Sequence, residues 1–318
     1  MHETINFLKR ALSRAPNAGM FGCYHVSEGY MFAQNESLQA VVPLESSDSF
    51  SVPGEELEAM LARMHSDPHV EIGDGELRIK SGRLRGNIPC VPGTPPSIFT
   101  RDVDWLPLPD ALVPALQKAT QFLVGTSLIG WTGGVRLMDG RLTTVNNLCG
   151  IDLAVPGWQS TPSILTKDGA EFLMADPPCD YAAKAGALLF RWPDDRSVQC
   201  QLIDQVMPEL VDDIFAKAGQ DAPVEITAEW RDAFADAAAI SDETVELHAG
   251  HLKVGKGSSK VTLEVSTAVP ADHVSYWNTK VLAPMVAVAT HWNPLAHPKP
   301  ALFRGPGLYG VVMGVMRR

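Results

Sequence analysis

Apolar residues follow two rhythms along this chain, and the rhythms alternate in blocks. Ile5, Leu8 and Leu12 recur at helical spacing, as do Leu57, Met60, Leu61 and Met64, and then Leu112, Leu116, Ala119 and Leu123. The same period predicts a shorter helix over Ile164–Ala175 and another behind the capping residue Thr227, carrying Trp230, Phe234 and Ala237. A sixth, over Ser275–His291, places Trp277, Val281, Met285 and Val288 on one face, with Pro284 expected to kink it. Between these blocks the period drops to two. Leu77 and Ile79 oppose Glu76, Arg78 and Lys80, and Val261, Leu263 and Val265 oppose Thr262, Glu264 and Ser266. That alternation predicts strands with one wet face.

Glycine turns punctuate the strand blocks. VSEGYM, IGDGEL, LMDGRL and LHAGHL set Gly29, Gly75, Gly140 and Gly250 between apolar runs, the signature of tight hairpins whose turns need positive φ. Pro193–Arg196 and Gly305–Gly307 supply two more turns. Gly29 and Gly140 are 111 residues apart, and Gly140 and Gly250 are 110 apart. The second series, near positions 75, 195 and 306, repeats at similar intervals. A period this long indicates repeated domains and not a solenoid. The expected fold class is therefore α+β: three tandem copies of one domain, each with two helices on antiparallel sheets. The expected domains are 1–100, 105–215 and 222–318, separated by the proline-rich Val91–Pro109 and by Ala216–Pro223.

Composition narrows the function. The 318 residues are 45% hydrophobic and 20% charged, enough apolar matter for several cores. A formal charge of −11 excludes a polybasic nucleic-acid binder, so any phosphate contact must come from a local positive face. Cys23, Cys90, Cys149, Cys179 and Cys200 are odd in number, widely spaced and never form C-x-x-C, as expected of reduced thiols in the cytoplasm. Met1–Arg14 reads as a charged amphipathic stretch and no signal peptide. Val281–Ala289 is too short to span a bilayer, so no membrane partner is expected.

The end of the chain stands apart. Val311, Val312, Met313, Val315 and Met316 form an apolar run that alternation does not explain. One face can close a sheet. The other needs a partner, and its methionines suit a surface that accepts several.

Four segments in register with the repeat resemble the bacterial DNA polymerase III beta subunit, the DNA sliding clamp, in a short version of phage type. They are LRIKSGRLRGNIPCV (Leu77–Val91), GGVRLMDG (Gly133–Gly140), QLIDQVMPE (Gln201–Glu209) and the tail from Val311. The resemblance covers essentially the whole chain. It implies a head-to-tail homodimer that closes a ring around duplex DNA, with helices lining the hole. It also implies tethering of DNA polymerase, service by a clamp loader, and neither cofactor nor catalytic residue. The family's peptide groove maps onto Gly150, Leu153 and Pro208 with Val312, Met313, Gly314, Val315 and Met316. Asp152 stands where the family has arginine, Cys149 where it has aspartate and Gly314 where it has proline, so the polar rim of the groove differs. By position, Phe99 and Ile240 are candidates for the ring interface.

On the helices expected to line the hole, Lys9, Arg10, Arg14, Arg63, Lys118, Arg231 and Lys280 are the candidates for phosphate contact. They share those helices with Glu55, Glu56, Glu58, Glu229, Asp232 and Asp236, so the hole is only weakly basic, as suits a ring that slides. His248 and His251, flanking one turn, and His291 and His297 lack a third ligand at zinc spacing, so no metal is expected. Trp230, Trp277 and Trp292 are expected in cores. No G-x-S-x-G, P-loop or H-E-x-x-H occurs. Two alternatives stay open at this point: a clamp-like phage decoy that binds host clamp-interacting peptides without encircling DNA, and a hydrolase built on a histidine and a cysteine.

Overall fold

The computed structural model describes the chain except residues 65–67, 100, 124–129, 219–221, 242, 257–258, 267–268 and 317–318, and the side chains of 210, 216–218, 256 and 259. Six segments each open on a helix and continue as antiparallel strands. The first holds α1 (His2–Leu8), β1 (Cys23–Ser27), β2 (Tyr30–Gln34), β3 (Leu38–Pro43) and β4 (Phe50–Pro53). The second holds α2 (Gly54–Leu61), β5 (His69–Gly73), β6 (Glu76–Ser81) and β7 (Leu84–Pro89). After the short β8 (Leu106–Pro107), the third runs α3 (Leu112–Ala119), β9 (Gly134–Met138), β10 (Arg141–Val145), β11 (Cys149–Ala154) and β12 (Ser163–Thr166). The fourth has α4 (Lys167–Ala175), β13 (Asp180–Lys184), β14 (Ala187–Arg191) and β15 (Ser197–Gln201). Helix α5 (Leu210–Ala218) and β16 (Val224–Glu225) precede the fifth, α6 (Ala228–Ile240), β17 (Thr244–His248), β18 (His251–Lys256), β19 (Ser259–Glu264) and β20 (Ser275–Asn278). The sixth is α7 (Thr279–Val288), β21 (His291–Trp292), β22 (Ala301–Gly305) and β23 (Leu308–Val312).

The turn signals form as expected. Glu28-Gly29 and Asp74-Gly75 both carry positive φ at two successive residues, the geometry of a type I′ hairpin. Two predicted helices need correction. Ile164 and Leu165 lie in β12, so the fourth helix starts only at Lys167. Trp277 lies in β20, and the sixth helix spans Thr279–Val288 with Pro284 inside it. In both places a strand leads directly into a helix with no loop between the two periods, and the second junction is marked only by Asn278, whose side chain caps the helix by accepting from Lys280 N–H.

Two compact units result. One comprises Met1–Leu108 and Asp168–Leu202, and the other Pro109–Lys167 and Ile203–Arg318. The first contains an eight-stranded sheet ordered β4-β1-β2-β3-β15-β14-β13-β8 and the three-stranded β5-β6-β7. Its apolar interior includes Leu8, Phe32 and Phe190, all fully buried. The rings of Phe7, Phe172 and Trp192 meet edge to face, with Phe7 and Trp192 4.9 Å apart.

The second unit contains an eight-stranded sheet ordered β12-β9-β10-β11-β23-β22-β21-β16 and the four-stranded β19-β18-β17-β20. Trp230, Trp277 and Trp292 are at most 1% exposed and join Phe234 and Phe303 in one aromatic core, as the sequence predicts. In each large sheet the third strand of one segment pairs with the third strand of another: β3 with β15, and β11 with β23.

Candidate functional site

In the second unit, β11 and β23 pair with Gly150 opposite Val311 and Leu153 opposite Leu308. Side chains alternate across a sheet. Gly150, Asp152, Tyr309 and Val311 therefore share one face, and Ile151, Leu153, Leu308 and Val312 the other. The second face is core: Leu153 is 4% exposed, Val312 is fully buried, and Gly310 on the same side lies close beneath Met285 of α7.

Helix α5 lies on the first face. Its Val211 and Phe215 join Ile164, Met207 and Val311 in a buried cluster, with Trp131, Val145, Ile203 and Leu302 half-buried around it. A Cβ added to Gly150 would stand 2.9 Å from Phe215 Cζ and 3.0 Å from Val145 Cγ2, so only glycine lets the helix settle this closely. Exposed apolar side chains border the cluster. Ile214 lies on α5, Val206 precedes Met207, and Met313 donates its backbone N–H to the carbonyl of Leu148, which is exposed like Met313 itself.

A chain of charges runs across the same face. Asp212 of α5 pairs with Arg136 of β9, which is only 7% exposed. Arg136 also reaches Thr143 Oγ1, and Thr143 in turn donates to Asp152 Oδ1 at 2.7 Å. Asp152 is 3% exposed and accepts from Arg141. Asp152 of β11 is thus joined directly to Arg141 on the adjacent β10 and, through Thr143, to Arg136 on β9 beyond it. The hydrogen bond from Arg136 holds the Asp212 carboxyl below the ordinary aspartate range. Burial pushes the Cys149 thiol on the opposite face up to about 12, so it is an inert core thiol.

Past Val312 the tail leaves the large sheet. Gly314 bridges to Trp277, Val315 N–H donates to the Tyr276 carbonyl at 2.8 Å, and His297 Nε2 donates to the Val315 carbonyl at 3.0 Å. A Cβ at Gly314 would meet His297 Cδ2 at 2.8 Å, which leaves glycine as the residue that fits. Met316 is 68% exposed and, with Val315, lines a cleft whose other walls include Glu243, Lys253, Lys260 and Tyr276.

The groove residues expected from sequence are thus divided. Gly150 lies under α5. Leu153 and Val312 point into the core. Pro208 is exposed beside Met207, and Met313 to Met316 form the docked tail. Sequence reasoning missed Met207, Val211 and Phe215. The pair Val211 and Phe215, one helical turn apart, was the available signal.

The expected phosphate-facing residues are mostly at the surface, and several have partners. Lys9 donates to Asn6, Arg10 lies 5.8 Å from the Phe172 ring, and Arg14 holds Glu58 with one nitrogen 2.8 and 2.9 Å from its two carboxylate oxygens. Arg231 is half-buried and donates to the Ala289 carbonyl, while Arg63, Lys118 and Lys280 are exposed. Phe99 packs on Ala182, Ala187 and Leu189 of its own unit, and Ile240 is half-buried at the end of α6.

This architecture is that of the bacterial DNA polymerase III beta clamps. The beta sliding clamp of Caulobacter crescentus matches with a TM-score of 0.80 at 14% identity, over 99% of this chain and 96% of that one. The DNA polymerase III subunit beta of Pseudomonas aeruginosa matches with a TM-score of 0.79 at 14% identity, over 99% and 97%. The Helicobacter pylori beta clamp, solved bound to a DNA ligase peptide, matches with a TM-score of 0.75 at 14% identity, over 99% and 97%. No family model and no curated protein matches the sequence itself. Among the described residues no helix is long and apolar enough to cross a membrane.

Proposed function

We propose that the chain is a DNA sliding clamp. Three clamp domains, residues 1–100, 105–215 and 222–318, join those of a second copy in a ring that encircles duplex DNA and tethers DNA polymerase and other replication proteins. The observation that carries this reading is a pair of unmatched strand edges. In four of the six helix-led segments the third strand pairs with the third strand of another: β3 with β15, and β11 with β23. The two left over, β7 and β19, each end their sheet with one edge open among the described residues. An exposed edge is a template for another strand. Pairing β7 of one copy with β19 of the next is a head-to-tail contact, and two copies close it. Ile240, in the segment that carries β19, stays a candidate for the apolar contact beside it, whereas Phe99 is spent on its own sheet.

For partner peptides, the proposed docking face is the exposed apolar rim around α5: Leu148, Val206, Ile214 and Met313. A beta clamp of the same fold, that of Helicobacter pylori, binds a DNA ligase peptide. A clamp loader and location on DNA in the cytoplasm belong to the same reading. Lys9, Arg10 and Arg63 in one unit and Lys118 and Lys280 in the other are then the phosphate contacts, loose enough to slide.

Sedimentation equilibrium tests the closure. A particle of twice 34.4 kDa is expected. A persistent monomer would refute the ring and leave the decoy that binds peptides without encircling DNA.

A further inference from the structure

The segment between β7 and β8 carries a feature that the clamp reading does not use. In Arg101-Asp102-Val103-Asp104-Trp105 the odd positions are half-buried and the two aspartates exposed. Val103 and Trp105 pack with Phe99 on Ala182, Ala187 and Leu189, so the segment lies as an added layer on the first unit's large sheet. Arg101 stacks 3.9 Å from the centre of the Tyr30 ring, and Arg191 stacks 4.7 Å from that of Trp105. Between the two stacked guanidiniums is a cavity of about 330 Å³, with Pro43, Asp195 and Ser197 completing its walls.

Its donors are underused. Arg191 gives Nε and Nη2 to Asp180, at 3.1 and 2.7 Å, which leaves Nη1. Arg101 has no ion pair among the described residues, and stacking occupies its face while leaving its N–H edge open. Ser197 is 1% exposed, fixed between Val41 and Arg191 by strand pairing, and its buried hydroxyl has no partner among the described residues. A buried hydroxyl without a partner is costly, and it identifies where an acceptor is missing. Asp195 is the one carboxylate in the lining. It opposes Arg101 in charge and so limits the net positive charge of the cavity.

We propose that this cavity binds a single oxyanion group, a carboxylate or a phosphate, between Arg101, the Ser197 hydroxyl and Nη1 of Arg191. Trp105 reports on it, because its ring lies under one of the binding guanidiniums.

The test follows the Trp105 indole N–H by NMR in the full chain, with the resonance assigned by Trp105→Phe. Inorganic phosphate and acetate are titrated separately against sodium chloride at matched ionic strength. A saturable shift beyond the chloride control is expected with at least one of them, and the responding anion identifies the source. Arg101→Gln should weaken it by about tenfold or more. Ser197→Ala should weaken binding while leaving thermal stability unchanged or raised, since it deletes an unsatisfied hydroxyl. The proposal is overturned if neither anion moves the resonance beyond chloride, if either variant binds like the parent, or if Ser197→Ala destabilises the ligand-free protein.

Discussion

Gly150 and Phe215 are in contact across the site. The ring of α5 comes to within 2.9 Å of where a Cβ on the strand residue would stand. The helix that borders the proposed docking face is therefore held by a hydrogen atom's worth of space. Gly150→Ala should lift Phe215 from the sheet and cost about 1–3 kcal/mol of stability. Phe215→Ala empties the same contact and should cost about 3 kcal/mol or more. Urea denaturation of the two variants checks both values. If Gly150→Ala proved silent, the close approach would not matter in solution.

Asp152 of β11 ties that strand to β10 at two points. It is nearly fully buried and holds Arg141 and Thr143 at once. Asp152→Ala removes the acceptor of the buried Thr143 hydroxyl and releases Arg141, whose side chain is exposed, and should destabilise by about 1–3 kcal/mol. The double variant with Arg141→Met should cost about the same as Asp152→Ala alone, because the released Arg141 charge stays in water. A double-mutant cycle in urea measures the coupling.

His25 makes the first unit acid-sensitive. It is fully buried, with Nδ1 2.7 Å from Ser51 Oγ and Nε2 3.0 Å from the Met20 carbonyl. The carbonyl can only accept, so Nε2 carries the proton and Nδ1 accepts from the serine. Burial lowers its pKa from 6.5 to about 4. The unfolded chain therefore takes up the proton first. Stability is full above pH 6.5, falls as the pH drops toward 4 and levels off below it, for a total of about 3 kcal/mol. Denaturation midpoints between pH 7 and 4 should show this slope in the parent, and a Gln at position 25 should abolish it.

The tail beyond β23 is docked through the bridge at Gly314 and the backbone hydrogen bond of Val315, and its removal should separate binding from assembly. Deleting residues 314–318 takes away Met316 and the bridge at Gly314 but leaves β23 in place. Polymerase binding, measured by surface plasmon resonance, should be lost while the mass in solution stays unchanged. Normal polymerase binding by the truncated chain would remove the tail from the site.

The hairpin repeat was legible because each turn demands glycine for a backbone reason, and Gly29, Gly75, Gly140 and Gly250 all adopt positive φ. The tryptophans were legible as core because they sit on the apolar stripe of their segments. Two strand-to-helix passages, at Thr166 and Asn278, were not, since no loop separates the two periods and the capping Asn278 lay inside the span read as helix. Helix α5 was hidden by its position, read as the edge of a domain boundary although Val211 and Phe215 gave its period. Leu153 and Val312 were grouped with Gly150 by motif. The two-residue period of β11 and β23 puts them on the opposite face. The open edges of β7 and β19 have no signature in sequence at all, because edge status depends on what the rest of the chain pairs with.

Electron microscopy of the purified protein tests the central claim most directly. The account predicts class averages of a closed ring of two copies, related head to tail, with an opening that admits a DNA duplex. A compact particle without an opening, or single copies with β7 and β19 uncovered, would contradict it.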